Sequence, residues 1–165
     1  MGFQVAQVNV SRLLEPLDSE RLRPFVERLE RVNAAADDAP GFVWRLQTEG
    51  GDATAVRVFE DPEIIVNLSV WQSLDALREF AYRSALHVEV LKRRREFFER
   101  DSDATLALWW IPAGTLPTVA DAEERLTLLR AIGPSPDAFT FNRRFPPPGG
   151  GLEPVDDERE LCPAP

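Results

Sequence analysis

Apolar and polar positions first alternate along the chain. Ala6, Val8 and Val10 stand against Phe3, Val5, Gln7 and Asn9, the pattern of a strand with both faces largely covered. Past Leu17, Asp18 and Ser19, a helix-starting signal, apolar residues recur at Leu22, Phe25, Val26, Leu29, Val32 and Ala36 with the 3.6-residue period of an amphipathic helix. Pro24 fits that helix in its first turn, and Pro40-Gly41 stops it. Residues 42–47 predict a second strand with Phe42, Trp44 and Leu46 on one side, broken by Gly50-Gly51, and a short strand is expected at Val56 to Phe59. Residues 64–71 are rich in β-branched side chains and predict the next strand, after which Ser73 offers its oxygen to the open amides of a helix start. That helix is long: Leu74, Leu77, Phe80 or Ala81, Ala85, Val88 and Leu91 keep its period, Arg83-Ser84 permits a break, and Phe97-Phe98 closes it.

Thr105 to Ile111 is an apolar run between loop signals, which predicts a mostly buried strand. A helix follows over Val119–Ile132, with Ala122, Leu126, Leu129 and Ile132 at helical spacing and Gly133-Pro134 ending it. Phe139-Thr140-Phe141 is expected to add a short edge strand or a plug. The proline- and glycine-rich run from Pro146 and the acidic stretch to Pro165 cannot build a core, so disorder is expected over 146–165. The order is strand, helix, strand, strand, helix, strand, then an appended helix. It predicts an α+β class, a ferredoxin-like βαββαβ antiparallel sheet with helices on one face, in one domain over residues 1–145 with the appended helix at 119–132. A sheet with helices on one face leaves the other open, and burial against a second copy predicts a homodimer.

Composition narrows the function classes. The chain has 165 residues, 44% hydrophobic, enough for one domain core. With 28 acidic against 19 basic residues its net charge is −9, which repels phosphate backbones and anionic lipid, so neither a nucleic acid nor a membrane is expected as partner. The basic run Lys92 to Arg95 is bracketed by Glu89, Glu96 and Glu99 and has the alternation of a solvated helix face. One cysteine, Cys162, permits neither an intramolecular disulfide nor a cysteine metal site. No apolar run approaches about 18 residues and no signal-peptide pattern opens the sequence, which gives the expectation of a cytoplasmic protein.

Pro40-Gly41-Phe42, the stretch Val70-Trp71-Gln72-Ser73 and the stretch Ala85 to Val90 around His87 resemble the antibiotic biosynthesis monooxygenase branch of the dimeric α/β-barrel superfamily. The chain is similar, from about residue 3 to 145, to an uncharacterised family attached to that superfamily. The resemblance implies a dimer of ferredoxin-like subunits paired sheet to sheet, a pocket between helices and sheet in each, and chemistry tied to secondary metabolism. Superfamily members include cofactor-free oxygenases, haem-degrading oxygenases, isomerases and decarboxylases, so the fold constrains the chemistry weakly. The haem-degrading members use a first-strand asparagine, a helical tryptophan and a histidine further along that helix. Asn9 and His87 match the first and third, while Phe80, with Tyr82 close by, stands where the tryptophan is missing.

His87 is the only histidine, four residues before Leu91 on or beside the inward helix face. Such a residue is either a packed structural group or a base able to take a phenolic proton, and a neutral imidazole can also ligate haem iron. Asn9 lies among apolar residues, where an unpaired amide costs about 1–3 kcal/mol, so it is either satisfied structurally or holds a developing oxyanion. Asn67 and Asn33 present the same alternatives. Trp44, Trp71, Trp109 and Trp110 serve the core or wall a flat ligand, with alternation putting Trp109 and Trp110 on opposite faces. The site expected from these residues has His87 and Asn9 as catalytic groups. Trp44, Trp71, Phe80, Tyr82, Trp110 and Arg94 would bind an aromatic or polyketide-like small molecule, with no cofactor required and haem as the alternative. A third reading is a non-catalytic ligand-binding or structural homodimer, which a filled pocket and a His87 bonded to backbone would favour.

Overall fold

The structure, a computed structural model, describes residues 2–47, 61 and 63–150, and the backbone of 155–156. Four antiparallel strands form the main sheet: β1 (Phe3–Arg12), β2 (Phe42–Arg45), β3 (Ile64–Trp71) and β4 (Leu106–Pro112), in the spatial order β2-β3-β1-β4. That order, with α1 (Arg23–Asp37) between β1 and β2 and a helical stretch between β3 and β4, is the ferredoxin-like topology that the residue pattern predicts. The short strand expected at Val56 to Phe59 lies outside the described residues.

Local chemistry sets the helix boundaries. Ser73 accepts from the Ala76 amide at 3.1 Å, so α2 (Leu74–Arg83) starts where the cap requires. Ser84, with extended backbone, ends α2 and starts α3 (Ala85–Lys92), and a second break at Arg93 separates the one-turn α4 (Arg94–Phe97). The expected long helix is thus three segments, because the chain must bend to lay Val90 and Phe97 against Phe25 and Leu22 of the first helical region. Pro24 falls in the first turn of α1 as its missing N–H demands. Gly41 has φ of 82° and passes so close to α2 that a Cβ there would meet Ala76 Cβ at 2.5 Å, which explains glycine at the turn into β2.

The sheet has two differently covered faces. On one, Val5, Trp71 and Leu108 pack beneath α1 and α2 with Ala36 and Leu77. On the other, Ala6, Val8, Val10, Val66, Leu68, Val70, Ala107 and Trp109 are buried under Ala122, Leu126 and Leu129 of α5 (Val119–Ile132). A Thr118–Asp121 capping box starts α5. The helices of the βαββαβ core do lie on one face, but the appended helix covers the second within the same chain. The apolar face from which the sequence predicts a homodimer is therefore covered within one chain: Leu68 and Val70 are at most 1% exposed without any second copy. Ile132, the last residue of α5, is 66% exposed, and Val26 of α1 is also exposed, so neither joins the core assigned to it by spacing.

Alternation fails once in the strands. The pairing of β2 with β3 slips between Phe42 and Trp44, so Phe42 pairs with Trp71 on the α2 side whereas Trp44, with Leu46, packs on the α5 side. The expectation of Phe42, Trp44 and Leu46 on one side is corrected by this bulge. After α5, Phe139 exchanges both backbone hydrogen bonds with Leu108 at 2.8 Å and so lengthens the β4 edge. Further on, β5 (Arg143–Arg144) pairs with β6 (Val155–Asp156), while most of the acidic stretch expected to be disordered lies outside the described residues.

Candidate functional site

The sheet face beneath α1 and α2 changes from apolar to polar and back. Val5 and Trp71 at one end join the cluster with Phe42, Leu77 and Phe80, and at the other end Leu13 and Ile65 join Phe25 and Phe97. Between them stand two cross-strand pairs, Gln7 opposite Ser69 and Asn9 opposite Asn67. Indole N–H groups can only donate, so Trp71 Nε1 donates to Ser69 Oγ at 3.0 Å, and Ser69 Oγ then donates to Gln7 Oε1 at 2.9 Å. Gln7 and Ser69 are the buried polar residues of the described chain, at 7% and 5% exposure.

His87 enters this region from α3, in the helical layer between Phe80 of one apolar cluster and Val90 of the other. Its ring lies 5.2 Å from that of Phe80, which stacks on Trp71 at 5.2 Å, and Phe42 meets Trp71 edge-on at 5.4 Å. Nδ1 is 2.7 Å from the Ala81 carbonyl oxygen, a contact that requires a proton on Nδ1. Nε2 of the neutral ring is therefore an acceptor. Burial pushes the His87 pKa down, against the smaller opposing effect of the Ala81 bond. The sign for stability follows: the unfolded chain binds the proton more readily, so stability is complete above the ordinary histidine pKa and is lost as pH falls through and below it. Urea unfolding at pH 7.5 and 5.5 should show a larger loss of stability for the native protein than for His87→Gln, and equal losses would refute the buried neutral ring.

The structure thus brings together Trp71, Phe80 and His87 of the expected site, and adds Gln7 and Ser69. Asn9 is half-buried beside Gln7 on the same strand and accepts from Ser11 Oγ at 3.5 Å. Trp110 faces the same side but at the β4 edge, donating Nε1–H to the Phe145 carbonyl at 2.8 Å. Tyr82 is 41% exposed and meets Phe141 edge-on; partial desolvation raises its pKa despite Arg78 and Arg94 nearby. Trp44 leaves the site, since the bulge in β2 turns it to the α5 side, and Arg94 is exposed on α4. Gln7 and Ser69 each share a strand with an asparagine, and the meeting of the two depends on the β1–β3 register.

Phe139, fully buried, and Phe141, 5% exposed, occupy the β4 side of this face, against Trp110 and Tyr82 respectively. This is the plug that the sequence allowed. A ligand lying against Trp110 or Leu108 on this face would have to displace Phe139 and Phe141. The ring of Phe80, backed by Trp71, packs 5.2 Å from that of His87, the residue that would hold haem iron. Among the described residues no group of three or more histidine, cysteine or acidic side chains is placed to hold a metal ion, and no helix is long and apolar enough to cross a membrane. A separate cleft of about 200 Å³ opens beside Arg12, Asp101, Asp103 and Arg130, and none of the expected site residues lines it.

Comparison with known proteins gives further likenesses. A conserved protein of Methanosarcina mazei Go1 is 14% identical, with a TM-score of 0.47 over 66% of this chain and 91% of that one. SnoaB, a cofactor-independent oxygenase from Streptomyces nogalater, is 19% identical, with a TM-score of 0.46 over 71% of this chain and 100% of its own. A putative antibiotic biosynthesis monooxygenase from Chloroflexus aurantiacus J-10-fl is 12% identical, with a TM-score of 0.41 over 70% of this chain and 93% of that one. No curated protein matches the chain. The family model described as "Domain of unknown function (DUF3291)" matches residues 4–153, nearly the whole chain, and the protein belongs to that family.

Proposed function

We propose that the protein is a small-molecule enzyme of the antibiotic biosynthesis monooxygenase-like type in which neutral His87 removes a proton from a phenol or an enolisable ketone. The observation that carries this reading is the 2.7 Å contact from His87 Nδ1 to the Ala81 carbonyl, because it occupies one ring nitrogen and leaves the Nε2 lone pair for substrate. Bonding to backbone would equally suit a structural histidine. A half-buried ring kept neutral is already in the form a base needs at pH 7. The proton passes from the substrate O–H or C–H to Nε2, leaving a phenolate or enolate beside an imidazolium. Asn9 supports the developing oxygen charge, and Phe80, backed by the buried Trp71, supplies an apolar wall. Oxygenation, cyclisation or isomerisation of that anion needs no cofactor bound by these residues.

A non-catalytic ligand-binding or structural protein is the second reading, favoured by the full burial of Phe139 and by the bond from His87 to the Ala81 backbone. Proton exchange separates the two. The native protein should accelerate deuterium uptake at the enolisable carbon of 2-tetralone in D₂O, and His87→Gln should reduce that acceleration by about a hundredfold, the usual size of a general-base contribution. Binding of 2-tetralone without accelerated exchange would leave the second reading standing.

A further inference from the structure

The relay on the sheet has an unused end. Trp71 donates to Ser69 and Ser69 donates to Gln7 Oε1, so the amide of Gln7 is held with its oxygen toward Ser69 and its NH₂ turned away. The opposite amide orientation would leave the buried Ser69 hydroxyl proton without that acceptor. Gln7 Nε2 donates to none of the described residues. A buried side chain, 93% covered, therefore presents two oriented N–H groups that nothing in the described chain uses.

Burial grades along these strands in a way that leads to that nitrogen. In the paired register Asn67 is exposed and Asn9 half-buried, the next pair, Ser69 and Gln7, is buried, and the pair after it, Trp71 and Val5, is at most 1% exposed. A ligand entering at the asparagines meets Gln7 before the aromatic floor. Each donor in the relay polarises the next, which strengthens the terminal N–H groups as partners for a negatively charged or carbonyl oxygen.

We propose that Gln7 Nε2 is the recognition donor of this site and selects ligands carrying a phenolate, enolate or carbonyl oxygen on an aromatic framework. The assignment rests on the small-molecule reading of the site and names the oxygen that the site reads. 4-Nitrophenol and nitrobenzene, which differ by the reading oxygen, are the probes, followed at pH 8 by quenching of tryptophan fluorescence. The native protein should bind 4-nitrophenolate about tenfold more tightly than nitrobenzene, the effect of one hydrogen bond to a charged group. Gln7→Glu, which keeps the acceptor for Ser69 but removes the donors, should abolish that preference while nitrobenzene affinity stays within about twofold. Gln7→Met repeats the test without a buried carboxylate, should the first variant fold poorly. A preference that survives both substitutions overturns the assignment and leaves the site reading intact. Equal binding of the two probes by the native protein, or binding of neither, also overturns it; deuterium exchange into 2-tetralone then shows whether the site reading falls with it.

Discussion

Trp71→Ala should lower the free energy of unfolding by about 3–5 kcal/mol, the range for deleting a buried large aromatic. Trp71 is 1% exposed, stacks on Phe80, takes the edge of Phe42 and packs with Val5 and Leu77. Truncation leaves a void among side chains anchored on two strands and a helix, which cannot all move inward together. It also removes the donor that orders Ser69, so the Gln7 amide loses its fixed orientation. Urea unfolding followed by circular dichroism gives the first effect, and loss of the preference for 4-nitrophenolate over nitrobenzene gives the second. Trp44→Ala, on the other face and partly buried, should cost less and leave that preference unchanged. A loss under about 1 kcal/mol for Trp71→Ala would show that the aromatic floor is not packed as described.

Leu126→Asp should be at least as damaging. Leu126 is fully buried in the middle of α5, over Val8, Leu68 and Trp109, and a carboxylate there must be desolvated without a partner or drive the helix off the sheet. About 3–5 kcal/mol is expected, with the Thr118–Asp121 capping box left intact so that helix initiation is not what is tested. Detachment of α5 exposes a sheet face made of valine, leucine and tryptophan. The variant should therefore bind a hydrophobic dye and associate more strongly with concentration than the native protein in sedimentation velocity. Unchanged stability and mass would mean that α5 is not what covers this face.

Much of the architecture was legible because it is local. Ser73 and Gly133 mark helix ends through hydrogen bonds and backbone angles spanning a few residues, and Val119–Ile132 is helical over the same residues that its spacing predicts. The strand order followed from counting elements and from the short list of ways to connect them. His87, Trp71 and Phe80 could be placed on their elements for the same reason. The slip at Phe42/Trp44 could not be read, since both strands look regular alone and the bulge exists only in their pairing.

Sequence by itself determined the class of fold, the cap that starts α2, the bounds of α5 and the presence of a histidine beside aromatic residues, all set by periodicity and capping within one element. The tertiary structure alone decided which side chains meet. It set Ser69 against Gln7 across two strands 62 residues apart, turned His87 Nδ1 to the Ala81 carbonyl, put α5 rather than a second copy over the apolar face, and seated Phe139 on the edge of β4. These contacts depend on register, on the angle at which a helix crosses a sheet and on closure of long loops. Such quantities are fixed by the whole core at once, and no single segment of the chain carries them.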